Sequence, residues 1–269
     1  VPQDFRHFGG TTMDKASIGG VTLAIVGIVA GLLMEGGNLG QILQPTAAFI
    51  VFGGTMGAVL LQFPLTTVMA AFGGMAHIFS AQQKQDHQII GQLVGFANKA
   101  RRDGVVSLDS DLKSIDDPFL RQTIMLAVDG TEPAELRKIM HVTLDSSVER
   151  EERLPAVFES AGGFSPTIGI LGAVLGLIQV MQHLDDISEV GRGIAVAFVA
   201  TIYGVGIANL FFLPFAGKMR LRIRDGQRRR EMMLEGVIGI LEGMNPRMLQ
   251  LKLACFAEES SHTQKEKAS

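Results

Sequence analysis

Four stretches of this sequence contain no Asp, Glu, Lys or Arg: 16–34, 45–71, 161–182 and 193–217. A helix needs roughly 20 apolar residues to cross a bilayer, and each stretch is about that long. Hydrophobic residues make up 47% of the chain, with Gly at 32 of 269. What constrains the fold is that the apolar residues are gathered into runs while the charges sit in separate blocks. The pattern predicts an all-α polytopic membrane protein. It has four transmembrane helices and a helical cytoplasmic domain between the second and third.

Residues 1–12 lack periodicity and read as a disordered N-terminal extension ahead of Met13-Asp14-Lys15. Residues 13–72 form a hairpin of two spans, about 16–34 and 45–71, joined by a short outer loop. The first run lacks a small-residue cleavage site and reads as a span rather than a signal peptide. Residues 73–160 form the cytoplasmic helical domain. There, Gln82 to Arg102 is amphipathic, with Ile89, Ile90, Leu93, Val94 and Ala97 on one face and Gly104 as its stop. Asp117-Pro118 caps a helix that ends at Gly130, and Glu132-Pro133 starts another running toward Gly162-Gly163. Pro155 predicts a bend or break in the latter. Residues 161–217 form the second pair of spans, about 161–182 and 193–217. Residues 218–269 are C-terminal helices interrupted at Gly243–Pro246, then a tail, SSHTQKEKAS, expected to be disordered.

The cytoplasmic domain and the C-terminal segment are rich in Lys and Arg, whereas the two short loops hold one Arg between them. The positive-inside rule then places both termini and the middle domain in the cytoplasm, with the spans in the cytoplasmic (inner) membrane.

Composition excludes several kinds of chemistry. A proton or cation path normally needs an ionisable group in the membrane, and none of the four runs holds a carboxylate, Lys or Arg; either no ion moves or a partner supplies the carboxylate. The His residues, including His77, His87, His141 and His183, lack ligand spacing, and Cys255 is the lone cysteine. Nothing resembles a nucleotide-binding loop or a catalytic triad. The chain therefore reads as a non-enzyme without cofactor, metal or nucleic-acid partner. In the third run Gly169, Gly172, Ala173 and Gly176 share one face, as close helix packing requires. In the fourth, Ala195, Ala197, Ala200, Thr201, Gly204 and Ala208 make a small, mildly polar side. Pro214 removes an N–H and frees the carbonyl near Leu210, predicting a flexible point where this span meets the cytoplasm. The basic run 218–230 reads as an anchor for anionic headgroups.

The stretches PTIGILGAVLGLIQVM and AVAFVATIYGVGIANLFFLPFAGKM, joined by a short outer loop, resemble the A-subunits of bacterial flagellar stators in the MotA/TolQ/ExbB superfamily. The resemblance extends to MDKASIGG, NKARRDGVVSLDSDL, DPFLRQTIMLAVDG and EGVIGILEGMNPRML, in the same order along nearly the whole chain from Met13. It implies a ring of such subunits, a pentamer, around the single membrane helices of two MotB/PomB-like B-subunits. These partners would supply the missing membrane Asp. Ion flow would turn the ring, and the cytoplasmic domains would push on the rotor protein FliG.

Carried over by residue, the resemblance implies that Pro166 and Pro214 are the two functional prolines and that Thr201 is a hydroxyl near the partner's Asp. It makes Arg101 a rotor-facing charge, and Asp109 another on a shorter arm than the family's usual Glu. Ala173 and Ala200 stand where sodium-driven members have Thr, which favours protons as the coupling ion. A TolQ- or ExbB-like energiser of outer-membrane processes is the nearest alternative, and the extra hairpin 16–71 speaks against it. A membrane scaffold or a transporter is a more distant one, since no inverted repeat or intramembrane polar site is present.

Overall fold

The structure, a computed structural model, describes residues 15–78 and 86–266. The expected N-terminal extension lies outside the described residues. Among the described residues all regular structure is helical, so the all-α expectation holds. Contacts divide the chain into two compact units, one of 1–82 with 152–220 and one of 83–151 with 221–269.

The second unit is a water-soluble type of helical packing. Helix α5 (Asp86–Asp103) buries Ile90, Leu93, Phe96 and Ala97 on one stripe. Its start is acidic and its last turn carries Arg101 and Arg102, the arrangement the helix dipole favours. Gly104, at φ 83°, turns the chain into a 3₁₀ helix, Val105–Ser114. Asp117 then caps α6 (Pro118–Val128) by accepting from the backbone N–H groups of Phe119 and Leu120. The same core takes Leu136, Met140 and Leu144 from α7 (Pro133–Gln182) and Met232, Met233, Val237 and Ile238 from α9 (Leu213–Leu241). Leu249 and Leu253 of α10 (Pro246–Glu266) complete it. Glu235 lies between Arg137 at 3.0 Å and Lys252 at 2.6 Å. The segment 221–269 thus belongs to the same core as 83–151. Helix α10 continues through Glu266, so the first part of the tail expected to be disordered is helical.

The first unit is apolar. Helix α1 (Lys15–Met34) is followed by a 3₁₀ turn, Leu39–Gln41, closed by an Asn38–Gln41 capping box. The expected second span is not one helix. It consists of α2 (Pro45–Ala48), a π-helical turn (Phe49–Gly53) and α3 (Gly54–Gln62) in one run, and then a break. Phe63 is extended (φ −123°, ψ 144°) because the following Pro64 disfavours a helical conformation there. Helix α4 (Leu65–Ile78) is therefore separate. In α7, by contrast, neither Pro155 nor Gly162-Gly163 breaks the helix. Val157, Phe158 and Ala161 in that region are buried in one cluster with Val59, Val68, Ala71, Phe215, Ala216 and Met219. Helix α8 (Ile187–Ile207), a π turn (Ala208–Phe212) and α9 likewise form one unbroken helical run, which continues beyond Gly217.

Among the described residues three helical runs are long and apolar enough to cross a membrane: Pro45–Gln62, Pro133–Gln182 and Ile187–Leu241. The apolar part of α1, Ile18–Met34, is shorter than these. The chain is a membrane protein.

Candidate functional site

The small residues on the third and fourth runs face each other. A Cβ placed on Gly204 would lie 2.5 Å from the Ser165 carbonyl oxygen and 3.0 Å from Gly169 Cα. One on Gly169 would lie 2.9 Å from the Ala200 carbonyl, and one on Gly176 would lie 2.7 Å from that of Gly193. These neighbours are backbone atoms, which cannot yield as a side-chain end does. Helices α7 and α8 therefore touch main chain to main chain along Ser165–Gly176, the way small residues bring membrane helices together. The glycine stripe of the third run is this packing seam. Ala200 belongs to it, fully buried against the Gly172 position, so a Thr there would strike α7.

Two side chains tie this seam to its surroundings. The Ser165 hydroxyl, fully buried, donates to the Gly204 carbonyl at 3.0 Å. That carbonyl also accepts from the Ala208 N–H at the last turn of α8. A hydroxyl competing for a helical carbonyl loosens the i→i−4 ladder, and the π turn begins at Ala208. The second is Tyr203, the sole tyrosine. Its hydroxyl donates to the Ile42 carbonyl at 2.5 Å and accepts from the Gln44 N–H at 3.4 Å. It thereby fixes the loop that leads into α2 and the π turn after it, where Ala47 and Val51 pack against Val196, Val199 and Ala200. Neither residue is among those the sequence singles out. The available signals were a serine beside Pro166 and a single tyrosine in an apolar run.

Thr201 is half-buried, with its Cα 3.5 Å from the position of a Gly169 Cβ. Its hydroxyl donates to the Ala197 carbonyl at 3.2 Å. The proton is thereby used within the helix, while the oxygen lone pairs stay available to a cation or to a protonated carboxyl. Ala173 is half-buried on α7, one turn beyond Gly169.

Pro214 is exposed and sits at the second position of α9, directly after the π turn. The Leu213 N–H bonds to Ala208 O, five residues back. A π turn moves donors one residue along, which is how a helix continues past a residue without an N–H. Pro166 leaves the Gly162 carbonyl without its usual donor, and a Cβ on Gly162 would lie 2.7 Å from Leu213. The structure thus brings the two proline defects to one level. Beside them Phe52, Thr55, Phe72, Phe158 and Phe212 line a cavity of about 60 Å³. The Thr55 hydroxyl, buried there, has no hydrogen-bond partner among the described residues.

In the other unit, Lys99 takes the ion pair between α5 and the 3₁₀ helix, at 2.7 Å from Asp111. Arg101 and Asp109 point outward, exposed, and neither makes an ion pair among the described residues. At the far end of α7, Asp186 caps α8 by accepting from Ser188 and Glu189 N–H groups, which holds its carboxyl below the ordinary value. No group of three or more His, Cys, Asp or Glu suited to a metal occurs among the described residues.

Residues 111–232 match the sequence pattern of the MotA/TolQ/ExbB proton channel family, and residues 18–104 match that of Motility protein A N-terminal. The chain is 33% identical to Motility protein A of Bacillus subtilis (strain 168) over 246 residues, 91% of each chain. It is 29% identical to the Chemotaxis protein PomA of Vibrio alginolyticus, over 92% of this chain and 96% of the other. Among solved structures it is similar to a chain of C. jejuni MotAB, with TM-score 0.85 and 31% identity over 91% of this chain and 96% of that one. A chain of the flagellar MotAB stator complex from Bacillus subtilis matches with TM-score 0.84 and 31% identity, over 93% and 99%.

Proposed function

Because the chain belongs to the MotA/TolQ/ExbB proton channel family, we propose that it is the A-type stator subunit of a flagellar motor, working in the cytoplasmic membrane. It forms an ion channel with a MotB-like B-subunit and turns ion-motive force into torque on the rotor protein FliG. The carrying observation is the match to stator chains over more than nine-tenths of this chain. The match of residues 18–104 to a motility-protein N-terminal pattern favours this over a TolQ- or ExbB-like energiser. Four spans, with α1 as the shortest, leave both termini and the 83–151 segment on the cytoplasmic side. Five copies form a ring around the partner's membrane helices.

In this reading the seam between α7 and α8 is the stiff part and Thr201 the ion-side group. With its proton given to Ala197, the Thr201 oxygen accepts from the partner's Asp when that is protonated. No hydroxyl stands at Ala173 to help strip a metal ion of water, which supports protons as the coupling ion; Ala200, buried against α7, does not bear on the choice. Each charge crossing 100 mV supplies about 2.3 kcal/mol. The π turn before Pro214, next to the cavity at Phe212, is where the inner end of the path gives. Arg101 and Asp109 meet the rotor, where exposed charges set register and speed encounter.

Swimming speed measured in sodium-free buffer, with and without a protonophore, tests the ion. Arrest by the protonophore alone is the expected result, and dependence on sodium would overturn it. Arg101→Glu is expected to cut torque and to be partly rescued by a reversed charge on the rotor protein. A loss that no rotor charge rescues would remove Arg101 from the contact.

A further inference from the structure

We propose that the groove at the end of α5 receives one apolar side chain of the rotor protein, of Leu, Met or Phe size, beside a carboxylate held by Arg101. The proposal rests on the rotor-contact reading of Arg101 and adds what that charge works against. Two turns bound the groove, and each depends on a glycine with positive φ: Gly104 at 83° after α5 and Gly243 at 71° after α9. Both glycines have open space where a side chain would start. The floor is apolar, with Ala97 and Ile240 at 4% and 5% exposure, and the walls are Ala100, Val105 and Met244. Its volume is about 210 Å³, more than the roughly 150 Å³ in which a cavity holds benzene.

The occupant's chemistry follows from the lining. Apolar walls open to solvent call for an apolar side chain. On the α5 side, Arg101 lines the groove, exposed and unpaired among the described residues. Arg102, next to it, has its charge directed to Asp103 at 3.4 Å. A carboxylate next to the apolar anchor is therefore accepted at the α5 edge, where Arg101 lines the groove. A central apolar anchor with a charge at its rim is the usual anatomy of a binding hot spot.

The test uses the stator complex of this chain with its B-subunit. Ala100→Leu partly fills the groove and Ala100→Trp blocks it, both leaving Arg101 in place. Rotor-protein binding is expected to fall slightly for the first and by at least about tenfold for the second, as for a blocked anchor pocket. Val105→Ser, which removes a wall without adding bulk, guards against misfolding by Trp and is expected to fall in between. A photo-crosslinking residue in place of Val105 should give an adduct with the rotor protein. An adduct with this chain's own C-terminal residues, or no adduct and unchanged binding in Ala100→Trp, would overturn the proposal. Loss of binding in Arg101→Glu alongside a silent Ala100→Trp would discard the groove and keep the charge contact. If Arg101→Glu is silent as well, the rotor reading itself fails.

Discussion

Gly204→Ala adds one methyl group at the tightest point of the seam between α7 and α8. Its Cβ would stand 2.5 Å from the Ser165 carbonyl oxygen and 3.0 Å from Gly169 Cα. Both are main-chain atoms in helices packed on other helices, so relief requires the two helices to part by most of an ångström. Overpacking of this kind costs about 1–3 kcal/mol. Parting the helices also stretches the Ser165 hydroxyl bond to Gly204, 3.0 Å long, whose loss in a membrane costs roughly 0.6–1 kcal/mol. The sum, about 2–4 kcal/mol, corresponds to a drop in melting temperature of roughly 4–16 °C for a chain of this size. Thermal unfolding of the detergent-solubilised complex measures it. Gly206→Ala on the same run is the control, since nothing lies within 4 Å of a Cβ there. Equal melting temperatures for the two variants would refute the reading of the seam as main-chain contact.

Tyr203→Phe removes both hydrogen bonds to the loop before α2 and is expected to cost about 1–2 kcal/mol, read by the same melt. It should also speed proteolysis of the 35–44 loop. Thr201→Ala is expected to lower swimming speed modestly and Pro214→Leu to abolish it nearly completely. Both should leave membrane insertion intact, since Pro214 is exposed and contributes little packing. Wild-type speed in Pro214→Leu would sink the hinge. Asp225, on α9 beyond the span, has its carboxyl raised above the ordinary 3.8 by burial, against the opposing pull of Arg228 and Arg229. Its folded value exceeds its unfolded one, so its favourable contribution is complete at low pH and is lost as pH rises through the raised value. Asp225→Asn should therefore match the wild type below about pH 3.8 and be more stable at neutral pH, as a melting series over pH would show.

The periodic and uncharged runs carried most of the helical content into view, because burial in hydrocarbon and in a small core leaves a direct mark on composition. Proline was the harder residue to read. Pro64 breaks its run, leaving Phe63 extended, although Val59 and Val68 on either side of it are buried in a core cluster and Phe63 packs against that cluster. Pro155 breaks nothing: α7 runs on through it, with Val157 and Phe158 buried in a cluster shared with Val59, Val68, Ala71, Phe215, Ala216 and Met219. The glycine stripe of the third run was legible as a packing surface. Its partner surface and the two bonds that lock it, from Ser165 and Tyr203, were not, since they join residues 39 and 161 positions apart.

The main-chain contact between α7 and α8 also has a mechanical side. A pair of rods with no gap between them carries load as a single beam and offers no internal shear. Compliance has to come from somewhere else, and one joint where the first unit offers it has a wide helical turn, two prolines and an unfilled space side by side. On the stator function proposed above, work fed in along the beam goes into bending there, and the stiffness of that joint sets how much of each stroke is transmitted and how much is absorbed.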